Sequence, residues 1–174
     1  MAGAGIAAAS GPSAPSMAVS GAAAGPSTHP IPTQSMRYQV FLSFRGPDSR
    51  KTFTDHLYAA LDRKGLVTFR DDREIEKGEF VPKKLRKAIR QSWYFVIVLS
   101  KNFASSRWCL DELQQIVETK PEQTVFPVFY DVEPGDIGQA LAVLENTASG
   151  EITGRWKEAL SRVSKFGGWP TKDK

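Results

Sequence analysis

Strand-like and helix-like hydrophobic patterns alternate along this chain, and that alternation restricts its possible folds more than any other feature. Tyr38–Phe44 alternates, with Val40, Leu42 and Phe44 on one side. A break follows at Arg45-Gly46-Pro47-Asp48. Phe53, Leu57 and Leu61 then recur at helical spacing. Thr52-Phe53-Thr54-Asp55 has the form of a capping box, in which the Thr52 hydroxyl and the Asp55 carboxylate would serve free backbone N–H groups. Gly65 is expected to end this helix, and Leu66–Phe69 reads as a second strand. After the polar loop Asp71–Pro82, helical spacing returns at Val81, Leu85, Ala88 and Ile89. Trp93–Leu99 is an apolar run of aromatic and β-branched residues, which suits a strand buried on both faces. Ser105 or Ser106 can cap a helix carrying Leu110, Leu113, Ile116 and Val117. Thr124–Tyr130 reads as a fourth strand, and Pro127 inside it implies an edge or a bend, because proline cannot donate to the ladder. Gly135–Thr153 shows no strong period. Trp156, Leu160 and Val163 mark a last helix before Gly167-Gly168-Trp169.

Strands separated by helices of this length imply an α/β fold with a parallel sheet covered on both faces. In open sheets of that kind, ligands bind beyond the carboxyl ends of the strands, where the strand order reverses. For a 2-1-3-4-5 order that point lies between the first and third strands. The loops Arg45–Arg50 and Ser100–Trp108 are therefore expected to wall one crevice.

Composition sets the domain limits. Residues 1–35 hold ten Ala, six Ser, five Gly and five Pro, and no Asp, Glu, Lys or Arg. Such a segment has too few large apolar side chains to offset its ordering entropy, so it is read as disordered, with one folded domain over 36–174. It lacks the basic start and apolar core of a secretory signal. No apolar run approaches the roughly 20 residues that span a bilayer. With a single cysteine, Cys109, and only His29 and His56 beside it, neither an internal disulfide nor a zinc site is expected. A reducing, intracellular compartment fits this usage. The formal charge of +4 is mildly basic, which permits an anionic ligand without demanding nucleic acid.

Few residues stand out as chemistry. Glu112 is placed one helical turn after Trp108, at the edge of the apolar stripe of Cys109, Leu113 and Val117, whereas Asp111 is expected to face solvent. In the first turn of its helix beside the crevice, Glu112 is either a functional carboxylate or an acid favoured by the helix macrodipole. Gly46 would let backbone approach a ligand, and Arg45 and Arg50 could grip a phosphate or carbonyl; an ordinary turn with solvated charges fits equally. Lys83, Lys84, Arg86, Lys87 and Arg90 make a basic helix face, usually a solvated one. Cys109 reads as a core residue and His56 as a surface residue of the first helix.

Together these residues resemble a known family. Tyr38-Gln39-Val40-Phe41-Leu42-Ser43-Phe44-Arg45-Gly46, Asp48, Arg50 and Phe53-Thr54-Asp55-His56-Leu57 are similar to the opening of a plant-type Toll/interleukin-1 receptor (TIR) domain. The likeness continues through Phe69-Arg70-Asp71-Asp72, Gly78, Trp108-Cys109-Leu110-Asp111-Glu112-Leu113, Phe126-Pro127-Val128-Phe129-Tyr130 and Gly168-Trp169. The resemblance implies a flavodoxin-like fold, a five-stranded parallel sheet with helices on both faces. It implies an NAD nucleosidase of plant immune signalling, cleaving the nicotinamide–ribose bond to give nicotinamide with ADP-ribose or a cyclic isomer. NAD is then the substrate, and no metal is required. Glu112 takes the catalytic position. Arg45, Gly46, Pro47, Asp48, Ser49, Arg50 and Trp108 take the binding positions, although Pro47 stands where an acid is usual and Ser49 where threonine is usual. A gating loop falls on Asp71–Val81.

Self-association through TIR domains is expected, involving His56 of the first helix and the Trp156 helix, with other TIR proteins as further partners. The alternative is a non-catalytic adaptor acting through TIR–TIR contact. Nucleic acid ranks third among partners, and none is expected at the membrane. The expected location is cytoplasmic, with the nucleus as a second compartment. Because most plant relatives continue into nucleotide-binding and leucine-rich domains, the expectation is a TIR-only protein or an excised piece.

Overall fold

A computed structural model of the chain describes residues 35–70, 83–144 and 150–171. The expected disorder of the head and the expected gating loop at Asp71–Val81 lie outside these residues. Everything below concerns the unit Gln34–Lys174.

Five parallel strands form one sheet in the order β2-β1-β3-β4-β5, the arrangement of a flavodoxin-like α/β fold. The strands are β1 (Tyr38–Phe44), β2 (Thr68–Arg70), β3 (Ser92–Leu99), β4 (Val125–Phe129) and β5 (Trp169–Pro170). The helices between them are α1 (Gly46–Ser49, one turn), α2 (Asp55–Arg63), α3 (Lys83–Arg90), α4 (Arg107–Thr119), α5 (Pro134–Leu144) and α6 (Gly150–Lys165). Crossovers between parallel strands are right-handed, so the step from β1 to β2 sends α2 to one face. The steps from β2 onward run the other way and send α3, α4 and α6 to the opposite face. The main core agrees with this. It joins Phe41, Phe95, Ile97, Leu99 and Phe129 of the sheet to Leu85, Ile89, Leu110, Leu113, Ile116, Trp156 and Leu160, and it contains no residue of α2.

The helix ends follow local chemistry. Gly65, at φ 74°, closes α2 as expected, with Gly65 N–H donating to Asp62 O and Leu66 N–H to Leu61 O. Ser106 caps α4 and its Oγ accepts from Cys109 N at 3.4 Å. The capping box at Thr52 does not form. The chain winds more widely through Arg50–Thr54, Thr52 leaves helical geometry, and α2 starts at Asp55. The Thr52 hydroxyl instead donates to Ser49 O at 3.2 Å and lies 3.1 Å from the Tyr130 hydroxyl, while Asp55 pairs with Arg70. Tertiary partners have outbid the local cap.

Other strand expectations need adjustment. β3 is buried at its carboxyl half, but Trp93 and Tyr94 at its start are exposed. Pro127 pairs in register with Ile97 on β3. Its carbonyl lies toward Gly168, 3.0 Å from the position a Cβ there would take. In a parallel strand a residue turns its N–H and C=O to the same neighbour, so the missing donor faces β5, which begins only opposite Val128. The proline is tolerated because β4 is next to the edge. The stretch Gly135–Thr153 proves to hold nearly all of α5 and the start of α6, the two helices of the crossover into β5. The Trp156 helix is thus a crossover packed on α4. Trp156 is 1% exposed and is not itself available to a partner. No helix among the described residues is long and apolar enough to cross a membrane.

Candidate functional site

β1 ends at Phe44 and the chain turns at once through α1. Arg45 remains extended before the turn, Pro47 occupies the start of α1 where its missing N–H has no helical partner to lose, and its ring is exposed. Asp48 faces back across the sheet end. Its carboxylate accepts from Ser100 Oγ at 2.5 Å, from Asn102 N at 3.1 Å and from Asn102 Nδ2 at 3.3 Å, and it pairs with Arg45 Nη1 at 2.5 Å. Burial acts to raise the pKa of this carboxyl. The hydrogen bonds from Ser100 and Asn102, with the Arg45 charge, outweigh burial and hold it below its ordinary value of 3.8. One carboxylate therefore fastens the loop after β1 to the loop after β3, the two walls expected of the crevice.

The neighbouring side chains are also committed. Ser49 is buried and its hydroxyl lies 2.8 Å from that of Thr54, also buried. Arg50 lies over the Phe44 ring at 5.8 Å. A Cβ at position 46 would stand 2.7 Å from Arg50 Nη2, so Gly46 makes room for a guanidinium of this same loop. Of the six loop positions expected to bind a ligand, Asp48 and Ser49 thus hold the loop in shape. Arg45, half-buried, and Gly46 and Pro47 line its outer edge.

The start of α4 closes the site from the other side. Cys109 Sγ donates to Phe44 O at 3.8 Å, which ties the first turn of α4 to the end of β1. The Cys109 thiol is pushed up to about 12, first by burial; the Ser106 hydroxyl and Arg45 act to lower it, and the negative charges of Glu112 and Asp48 to raise it. Glu112 is 4% exposed. It lies in the second turn, because α4 starts at Arg107, and the macrodipole, which fades within the first turn, does not account for it. A carboxylate this deep is kept in a fold only with compensating polar contacts. Trp108, one turn earlier, is half-buried against the core. Asp111 does not face solvent as expected: it is half-buried and accepts from Trp156 Nε1 at 2.9 Å.

Three contributors escaped the sequence reading. Ser100 and Asn102 supply the donors to Asp48. Ser43, one residue before the end of β1, is 1% exposed and its hydroxyl has no hydrogen-bond partner among the described residues. The available signal was a serine at the end of each buried central strand, since a buried hydroxyl needs a partner. His56 is exposed on α2, and no α2 residue is fully buried: Leu57 and Leu61 are only half covered.

Comparison with known proteins agrees with the fold. The family model for the TIR domain matches residues 37–174. The disease resistance protein RUN1 of Vitis rotundifolia is 45% identical over 152 residues, covering 80% of this chain and 11% of that protein. The TMV resistance protein N of Nicotiana glutinosa is 44% identical over 142 residues, covering 75% of this chain and 12% of that protein. This chain therefore spans about a tenth of the length of these relatives. Among solved structures, the TIR domains of the activated Roq1 resistosome superpose with a TM-score of 0.68 at 41% identity, covering 79% of this chain and 90% of that one.

Proposed function

This chain belongs to the TIR-domain family, and on that footing we propose that it is an NAD nucleosidase of plant immune signalling, active when self-associated. The observation that carries the reading is the burial of Glu112 in α4, whose first turn is tied to the end of β1, just before the Arg45–Asp48 pair, by the hydrogen bond from Cys109 Sγ to Phe44 O. A shielded carboxylate beside an arginine-bearing loop suits one kind of chemistry. Ordinary glycosides need a second carboxyl group to protonate the leaving group. Nicotinamide in NAD is already a cationic pyridinium and departs neutral, so no general acid is needed. The glycosidic C–N bond breaks with its electron pair passing to the ring nitrogen, and positive charge develops on the ribose. The Glu112 carboxylate stabilises that charge, more strongly where water is excluded. Trp108 supplies an apolar wall, and Arg45 and Arg50 orient the anionic part of the substrate. Water attacking the ribosyl cation gives ADP-ribose and a proton; a hydroxyl or ring nitrogen of the same molecule gives a cyclic isomer.

Self-association rests on a separate support. The exposed His56 and half-covered Leu57 and Leu61 leave α2 a face that a second copy can bury. The Roq1 resistosome is an assembly that recognizes the pathogen effector XopQ, and its TIR domains share this fold. The test is nicotinamide release and mass analysis of products across a range of protein concentrations. Turnover that rises more steeply than protein concentration supports the reading. Strict proportionality removes the requirement for a neighbour, and no turnover at any concentration leaves the non-catalytic adaptor.

A further inference from the structure

We propose that the end of the sheet opposite the candidate site is a docking surface for an anionic lipid bilayer. In this topology the helices run back against the strands, so the carboxyl end of α3 arrives at the amino ends of β1 and β3. Gln91 gathers them: its carbonyl accepts from Arg37 N at 2.9 Å and Tyr38 N at 3.1 Å, its amide donates to Ser35 O at 3.4 Å, and its own N–H returns to Lys87 O and Ala88 O. Beside this residue two large apolar side chains face water, Met36 at 41% exposure and Trp93 at 54%; Tyr94, 48% exposed, turns to the other face of the sheet, where it meets Phe126. Their companions are the exposed cations Arg37, Lys87 and Arg90. Of the segments that meet here, 35–38 and 83–94 contain no Asp or Glu; the segment after α4, whose Lys120 Nζ donates to Arg90 O and Ser92 O at 3.2 Å, adds one further cation and the exposed Glu122.

Among the described residues this charge meets no ion-pair partner, and none of the five Lys and Arg side chains of α3 has one. Like charges repeat along that helix at Lys83–Lys87, Arg86–Arg90 and Lys87–Arg90, an arrangement that destabilises it. An anionic surface relieves this repulsion, whereas a second copy of the same surface would double it. Cations beside an exposed indole and thioether match a lipid interface, where amphipathic aromatic rings settle at headgroup level and basic side chains meet anionic headgroups. A nucleic acid or an acidic peptide would engage the cations but leave Met36 without a role. The sequence expectation of no membrane partner rested on the absence of a spanning segment. A peripheral surface becomes visible only when the exposed side chains are located.

The test is co-sedimentation of the full chain with phosphatidylcholine vesicles that contain or lack phosphatidylserine, over a range of NaCl concentrations. Binding is expected only with phosphatidylserine and should weaken with salt. Arg37→Gln, Lys87→Gln and Arg90→Gln should each lower partitioning about fivefold. Arg162→Gln, on α6, changes net charge equally and should leave partitioning unaltered. Brominated acyl chains should quench tryptophan fluorescence in the native chain, and the Trp93→Phe variant, which keeps an aromatic ring in place, should lose that quenching. Equal binding to neutral vesicles, equal effects of Arg162→Gln and Arg90→Gln, quenching that survives Trp93→Phe, or capture by duplex DNA or polyglutamate without vesicle binding would each overturn the proposal. None of these outcomes bears on nicotinamide release.

Discussion

Removing the Asp48 carboxylate should unfasten the two loops that frame the site. In Asp48→Ala, the Ser100 hydroxyl, 2% exposed, loses its acceptor, and a buried donor left unmet costs about 1–3 kcal/mol. Asn102 is exposed and turns to water at little cost. The Arg45 pair is part-exposed, with the Arg45 side chain at 27%, and contributes roughly 0–1 kcal/mol. The sum is roughly 1–4 kcal/mol, or about 3–16 °C in Tm for a domain of this size. The assay is urea unfolding of the wild type, Asp48→Ala, Ser100→Ala and the double variant. Residues sharing one buried hydrogen bond should couple, so the double variant should lose about 1–2 kcal/mol less than the sum of the singles. The pH dependence follows from the lowered pKa. The contribution of Asp48 is fully present above its ordinary value of 3.8 and is lost as pH falls through its lower folded value. The gap between wild type and Asp48→Asn should therefore be widest at neutral pH and close in acid. Strict additivity of the single variants, or a gap that widens in acid, would refute the clamp.

Two further outcomes are expected. Gly168→Ala would drive a methyl group into the Phe129 ring, with Cδ2 at 3.0 Å and Cε2 overlapping, so about 1–3 kcal/mol of stability should be lost in thermal unfolding; an unchanged Tm would contradict the packing of β5 on β4. Cys109, with its thiol pushed up to about 12, should resist alkylation by iodoacetamide at neutral pH in the native protein and react at once when unfolded. Because the unfolded thiol ionises near its ordinary 9.0 and the folded one does not, Cys109 should also draw stability down as pH rises above that value. Rapid native labelling would place the residue nearer solvent than its 4% exposure.

The central strands were legible because their residues satisfy a local pattern and a global one together. Tyr38–Phe44 is found with the expected bounds, although Val40–Ser43 are buried without alternation and Phe41, off the expected face, joins the main core; Ser106 and Gly65 act at the helix ends where their chemistry suggests. β5 was not legible as a strand, since two residues carry no period and exist as a strand only through Val128 and Phe129. The crossover before it is rich in Ala and Gly, which leaves little hydrophobic contrast to read. Thr52 and Asp111 were misplaced for a shared reason: partners distant in sequence, Tyr130 and Trp156, took groups that local rules assign to a cap and to solvent. Within the site, periodicity put Glu112 at the edge of the apolar stripe but could not tell edge from interior. Asp48 was singled out by resemblance alone, and its role as the tie between two loops needed Ser100 and Asn102, which lie more than fifty residues away.

The most direct measurement of the central claim is the rate of nicotinamide release from NAD by the wild type and by Glu112→Gln, at a protein concentration that permits self-association. Glutamine keeps the volume of the buried side chain while removing its charge and turning one acceptor oxygen into an N–H donor, so folding of the variant is checked by thermal unfolding, and the folded variant should lose about a hundredfold or more in rate. Folded Glu112→Gln protein that releases nicotinamide as fast as the wild type would contradict the account.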